Sequence, residues 1–274
     1  MLKEALKDVL DSSEIALLSS SFDVIGDIAI IKIPEALNPK RQAVAQEILS
    51  HMKNVTTVLK QSSDVQGEFR TREVGFIAGQ EKYDTVYKEN GCLFKVNVRD
   101  VFFSPRLSTE RERISKLVGN GEKIFNMFAG IGTFSIVIAK QKDCIIESVD
   151  TNPRAIELAR ESLLLNKNLK GRVNPILSDA TLFAKEHRET FDRVLMPLPE
   201  QAHKYLSCAF DSAKQGATIH YYLHVAERDF YSEGWIEENV KEILQARSHK
   251  IAKWKKVREV GPRYIQAVAD IVKL

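Results

Sequence analysis

Residues Phe125 to Ile136 read FNMFAGIGTFSI, and this stretch decides the fold. With Ile124 before it, Phe125, Met127 and Phe128 make a short apolar run of the buried-strand type. Ala129, Gly130 and Gly132 form a turn of small residues, and Phe134 to Ala139 restores an apolar helical pattern. A strand that turns on glycines into a helix lets backbone approach a ligand closely. The glycine spacing departs from the six-residue dinucleotide fingerprint, because no third glycine follows at the expected offset.

The strands that follow narrow the ligand. About 20 residues on, Cys144 to Asp150 (CIIESVD) is a second strand ending in a carboxylate, the place from which doubly wound folds read ribose hydroxyls. Thr151-Asn152-Pro153 opens a helix through Leu165. A third strand, Arg172 to Leu177, ends in Ser178-Asp179-Ala180, where an acid can reach the exocyclic amine of an adenine. A fourth, Phe191 to Met196, ends in Pro197-Leu198-Pro199. This is the order of an S-adenosylmethionine-dependent methyltransferase domain. A nicotinamide-binding Rossmann domain is disfavoured by the glycine spacing and by the Pro-Leu-Pro. Gly130 and Gly132 are expected beside the methionine part of the cofactor, Asp150 at the ribose, and Asp179 and the Ala180 backbone at the adenine. Phe128, Thr151 and Pro197 stand at the same strand ends and are counted as cofactor-binding with them. Asp150 also suits a simple helix cap.

The chain has 274 residues, which suggests two domains. Its 44% hydrophobic and 28% charged residues are ordinary for a chain that buries a core. No apolar run approaches a membrane span, and the N-terminal MLKEALKDVLDSSE lacks the apolar core of a signal peptide. Cys92, Cys144 and Cys208 are far apart and suggest neither disulfides nor a metal site, so a reducing, cytoplasmic setting is expected. The net charge of +3 permits nucleic-acid binding without demanding it.

Residues 1–99 read as a smaller α+β domain, and residues 100–274 as the class I, Rossmann-like α/β methyltransferase domain. Ser104-Pro105 breaks the chain before a helix at Ser108 to Leu117. In the first part, helix patterns at Leu2 to Leu10 and Arg41 to Met52 alternate with strand-like runs at Phe22 to Ile33 and Val55 to Lys60. A β-rich stretch follows at Glu68 to Gly79. Lys82 to Lys88 and Cys92 to Val98 form a hairpin around the Asn90-Gly91 turn signal. In the second part a helix is expected from Gln201 to Gly216, a strand from Ala217 to His224, a helix from Phe230 to Ala246, and a closing antiparallel pair around Glu259 to Pro262.

GEFRTRE (67–73), FFSPRLSTERER (102–113), NMFAGIGTFSI (126–136), VDTNP (149–153) and MPLPEQAHKYL (196–206) occur in this order. Together they resemble the archaeal and eukaryotic tRNA guanine-N1 methyltransferases that act at position 37, beside the anticodon. The resemblance covers essentially the whole chain, and the Ser104 to Arg111 segment is its most diagnostic piece. It implies S-adenosylmethionine as cofactor, tRNA as partner, no membrane and a monomer. It implies that Glu110 is the general base and that Arg70 stabilises charge on the guanine O6, with Arg72 a close competitor for that role. Arg106 and Arg111 resemble residues that hold phosphate or cofactor, and Phe102 or Phe103 would stack on the flipped base. Glu110 fits equally an acid in the first turn of a helix, and the phenylalanines fit a core. Family members often carry a further small N-terminal domain that touches the tRNA elbow, and the chain is expected to begin after it.

The departure lies at the fourth strand. The family usually shows an asparagine where this chain has Pro197, which offers a carbonyl and no N–H. That leaves room for another target at the same tRNA position, through methyl or aminocarboxypropyl transfer to a wyosine precursor. Basic residues fall at Arg70 to Arg72, at Arg106 to Arg113 and at Lys250 to Arg258. Arg72, Arg106, Lys253, Lys255 and Lys256 are expected to line one RNA-facing surface.

Overall fold

The computed structural model describes residues 6–18, 22–62, 67 and 71–274. The chain packs as two compact units, residues 1–106 and 107–274. In the first unit, residues 6–9 form a turn where a helix is expected, since one turn already buries Leu6 and Leu10; residues 1–5 lie outside the described residues. Helix α1 (Ser12–Leu17) opens on a capping box, with the Asp11 carboxylate accepting from the Glu14 N–H and the Glu14 carboxylate from the Asp11 N–H. Strands β1 (Asp23–Ile25) and β2 (Ile28–Ile31) form a hairpin. Helix α2 (Arg41–His51) then returns the chain so that β3 (Thr57–Gln61) lies parallel to β2. Strand β4 (Val74–Gly79) completes the sheet order β1-β2-β3-β4. Ile31, Val44, Ile48, Val58 and Ile77 fill the space between sheet and helix. Strands β5 (Asp84–Glu89) and β6 (Cys92–Asn97) make the separate hairpin, turning at Asn90 and Gly91 with φ of 47° and 72°.

The second unit is built on a seven-stranded sheet. Its strands are β7 (Lys123–Asn126), β8 (Ile145–Asp150), β9 (Arg172–Leu177), β10 (Phe191–Met196), β11 (Ala213–Ala226), β12 (His249–Gly261) and β13 (Tyr264–Lys273). The order is β12-β13-β11-β10-β7-β8-β9. Strands β7 to β11 are mutually parallel, and β13 runs antiparallel to β11 and β12. Helices α3 (Ser108–Leu117), α4 (Thr133–Gln141) and α5 (Pro153–Leu165) cover one face through Ile114, Phe134, Ile138 and Leu163. Helices α6 (Ala180–Glu186), α7 (Ala202–Ser212) and α8 (Trp235–Leu244) cover the other through Phe183, Leu206, Phe210, Ile236 and Val240. Phe125 lies 5.0 Å from Phe191 and 5.2 Å from Phe183, ring centre to ring centre. Such aromatic contacts add about 0.5–1.5 kcal/mol each beyond their buried area. This is the expected Rossmann-like α/β class.

In the second unit two boundaries lie well away from the sequence reading. Helix α7 stops at Ser212, whose hydroxyl bonds back to the Ala209 carbonyl, and Ala213 already pairs with Phe191 in the sheet. The helix expected from Phe230 is divided: a single turn, Glu227–Phe230, ends there, residues 231–234 form a turn, and α8 starts after Gly234, whose φ of 77° leaves the helical region. Strands β8 and β9 lie on one side of β7 and β10 and β11 on the other. The order therefore reverses between β7 and β10, where open α/β sheets bind ligands beyond the strand ends.

Candidate active site

The turn after β7 occupies that crevice. Gly130 has φ of 54°, and a Cβ built on it would meet nothing within 4 Å, so its backbone faces open space. Gly132, at φ 77°, is the residue from which α4 starts. The Gly130 N–H donates to Oδ2 of Asp150 at 2.7 Å, and the Asn152 N–H donates to Oδ1 at 2.9 Å. Asp150 thus ties the turn after β7 to the turn after β8. Burial pushes its carboxyl up, while the N–H groups of Asn152, Gly130 and Thr151 favour the charged form. A carboxylate offers about four lone-pair positions, so one beyond those three N–H groups remains for a ribose hydroxyl. The cap of α5 comes instead from Asn152, whose side-chain oxygen accepts from Arg154 and Ala155. Asp179 caps α6 through Oδ1, accepting from Thr181 at 2.8 Å and Leu182 at 2.9 Å, which leaves Oδ2 to a ligand. Thr151 is exposed, Ala180 is buried at the start of α6, and Pro197 is half-buried after β10. Phe128 is half-buried with its ring edge-on to Tyr205, 4.9 Å away. Open backbone at one strand end and spare carboxylate oxygens at the next two fit a nucleoside-bearing cofactor.

Glu110 lies in the first turn of α3 and is 4% exposed. Arg113, one turn on, grips it with two parallel bonds, Nη2 to Oε1 at 2.7 Å and Nε to Oε2 at 2.9 Å. The Tyr222 hydroxyl on β11 donates to Oε1 at 2.8 Å. The Lys255 ammonium on β12 stands 3.6 Å from Oε2. Arg113 also donates to Asp270 on β13 at 2.9 Å, and Asp270 accepts from His220 Nδ1 at 2.6 Å. Arg193 on β10 donates to His220 Nε2 at 2.7 Å and is itself paired with Glu122 at 2.7 Å. Arg111, on the same helix, is 2% exposed.

Residues 85–251 match the TRM5/TYW2 methyltransferase domain, and residues 2–82 match the TYW2 N-terminal domain. The chain belongs to the TRM5/TYW2 methyltransferase family. The tRNA (guanine(37)-N(1))-methyltransferase Trm5b of Pyrococcus abyssi is 40% identical over 255 residues, 92% of this chain and 74% of that protein. Its crystal structure matches with a TM-score of 0.85 at 37% identity, over 96% of this chain and 78% of the other. The tRNA (guanine(37)-N(1))/4-demethylwyosine(37)-methyltransferase Taw22 of Nanoarchaeum equitans is 31% identical over 296 residues, 89% of this chain and 96% of that protein. Trm5 of Methanocaldococcus jannaschii, solved in complex with adenosine, matches with a TM-score of 0.78 at 31% identity, over 94% of this chain and 75% of the other.

Within this TRM5/TYW2 chain the expected RNA-facing residues belong to both units. Arg70 lies outside the described residues. Arg72 is tied to Asp23 at 3.3 Å and donates to the Phe103 carbonyl at 3.3 Å. Arg106 pairs with the same Asp23 at 3.0 Å and is half exposed. Phe103 is buried edge-on against Tyr87, and Phe102 is half-buried. The expectation that Lys253, Lys255 and Lys256 share one face does not hold. Lys253 pairs with Asp270 and Lys255 with Val268, on the face of Tyr222, whereas Lys256 pairs with Ala267 on the reverse and bonds Glu259 at 2.7 Å. Adjacent strand residues alternate faces, so a run of lysines divides.

Sequence reasoning missed Tyr222, His220, Asp270 and Arg193 in this family member. The signal was present in weak form: HYYLH and AVADIV set a histidine and an aspartate inside otherwise apolar strands, and a buried charge in a central strand demands a partner.

Proposed function

We propose that this chain transfers the methyl group of S-adenosylmethionine to N1 of guanine 37 in tRNA. The carrying observation is its 40% identity to Trm5b of Pyrococcus abyssi across 92% of its length, joined to a strand-end crevice that suits the cofactor. No helix among the described residues is long and apolar enough to cross a membrane. When bound, S-adenosylmethionine supplies an electrophilic methyl group on a sulfonium.

The chain's own residues supply the rest. Gly130 and Gly132 keep the turn close and free of side chains. Asp150 offers its spare lone pair to the ribose, and Asp179 offers Oδ2 to the adenine amine. Phe128 and Pro197 wall the crevice. Guanine N1 carries a proton at neutral pH, and that proton has to leave as the methyl arrives. Glu110 takes it as general base, a contribution of about 10²–10⁴-fold. Arg70 stabilises the charge on O6 in this reading, which rests on its position in GEFRTRE.

A second reading is favoured by one observation. Pro197 presents only a carbonyl where an asparagine amide is usual in the family, and Taw22 of Nanoarchaeum equitans, 31% identical, is named for both guanine and 4-demethylwyosine. Methylation of a wyosine precursor at the same position is the alternative. Incubation with unmodified tRNA bearing G37, followed by nucleoside mass analysis, separates the two. N1-methylguanosine is the expected product; transfer only to tRNA carrying the precursor overturns the first reading in favour of the second.

A further inference from the structure

The two oxygens of Glu110 are not equivalent. Oε1 receives two donors in hydrogen-bond range, Arg113 Nη2 at 2.7 Å and the Tyr222 hydroxyl at 2.8 Å. Oε2 receives one, Arg113 Nε at 2.9 Å, with the Lys255 ammonium further off at 3.6 Å. A carboxylate oxygen has two lone-pair positions. Oε1 is therefore filled, and Oε2 keeps one open.

The donors that fill Oε1 are themselves fixed from behind. Burial and the neighbouring Glu110 push the Tyr222 phenol far above its ordinary range, so it stays a donor. Arg113 is held by Asp270 at 2.9 Å. Asp270 accepts from Nδ1 of His220, and Nε2 of the same ring accepts from Arg193. Both bonds are possible together only for a neutral imidazole with its proton on Nδ1. Arg193 is clamped in turn by Glu122 at 2.7 Å and 2.9 Å. The groups facing Glu110 are thus Arg113 from its own helix, Tyr222 from β11 with His220 behind it, Asp270 from β13, and Lys255 from β12 with Lys253 beside Asp270.

We propose that Tyr222 and Arg113, the latter braced by Asp270 and His220, are positioning residues that saturate Oε1 of Glu110 and leave Oε2 as the atom that takes the proton from the target base. This rests on the reading of Glu110 as the general base. In the step, the N1–H bond breaks and an O–H bond forms on Oε2. The electron pair left on N1 makes the bond to the methyl carbon, and the pair of the broken carbon–sulfur bond stays on sulfur. Lys255, a third exposed and loosely placed, is the partner that can withdraw from Oε2 as the base enters.

The test is a pH series of single-turnover methyl transfer with Tyr222→Phe and Arg113→Lys, with Glu110→Gln alongside. Tyr222→Phe removes one hydroxyl and little else. The pH profile of the rate should change, because one of the two donors to Oε1 is gone. The plateau rate should fall about tenfold because the carboxylate is less well aimed, with the KM values for tRNA and cofactor unchanged. Arg113→Lys keeps the charge but loses the fork, and should cost more in rate than Tyr222→Phe. If Glu110→Gln abolishes transfer while Tyr222→Phe gives the unmutated pH profile and plateau, the positioning proposal is overturned and the base reading stands. If Glu110→Gln keeps the unmutated rate, the base reading itself fails.

Discussion

His220 on β11 and Asp270 on β13 face each other in register, and the imidazole donates Nδ1–H to the carboxylate across 2.6 Å. Neither is ordinary. Complete burial lowers the His220 pKa despite the pull of Asp270, so the ring is neutral. Burial raises the Asp270 carboxyl, but the bonds from His220 and Arg113 outweigh it and hold it well below the usual carboxylate range.

The unfolded chain protonates this histidine near 6.5, before the folded chain does. The contribution of His220 is thus complete above that pH and is lost as pH falls below it. Asp270 adds a second loss only below about 3.8, its unfolded value. Melting temperature should decline between pH 7 and 5, with about 2–4 °C for each 1 kcal/mol lost. His220→Asn keeps a donor towards Asp270 and removes the titrating ring, so its melting curve should be flatter over this window. An equal slope in both proteins, measured by calorimetry, would exclude His220 as the source.

Asp150→Ala should abolish tight cofactor binding and leave tRNA binding nearly intact. The backbone N–H groups of Gly130, Asn152 and Thr151 already converge on this carboxylate, and a ribose hydroxyl would add to them. Loss of a charged acceptor costs about 2–3 kcal/mol. Titration calorimetry with S-adenosylhomocysteine measures it directly, and unchanged affinity would refute the assignment.

Glu110→Gln should slow single-turnover methyl transfer by roughly 10²-fold or more while both substrates still bind. The variant should also melt earlier, since Arg113 is left buried with Asp270 as its remaining charged partner. Earlier melting with an unchanged rate would make Glu110 a structural anion only.

The lysines of β12 divide by face. Lys253→Ala with Lys255→Ala should weaken tRNA binding and flatten its salt dependence by somewhat under one unit per lysine. Lys256→Ala, on the reverse face and paired with Glu259, should leave both unchanged. Filter binding across a salt series decides it, and equal effects from the two sets would argue against a one-sided RNA contact.

The sequence alone determined what depends on near neighbours. Ser108–Leu117, Arg172–Leu177 and Phe191–Met196 have the bounds their apolar periodicity and flanking residues give, because caps and strand ends are set within a few positions. The glycine turn and the strand-end acids were legible for the same reason. Where a boundary answered to a distant partner the reading slipped: Ala213 joined the sheet instead of α7 because Phe191 was there to pair with it. The environment of Glu110 was decided only by tertiary structure. Tyr222 is 112 residues from it along the chain, and Asp270 is 157 from Arg113. Nothing local in the sequence sets those contacts. They follow from the pairing of β11 with β13 and from α3 lying across that part of the sheet, where a buried charge must find its partner among the strands beneath it.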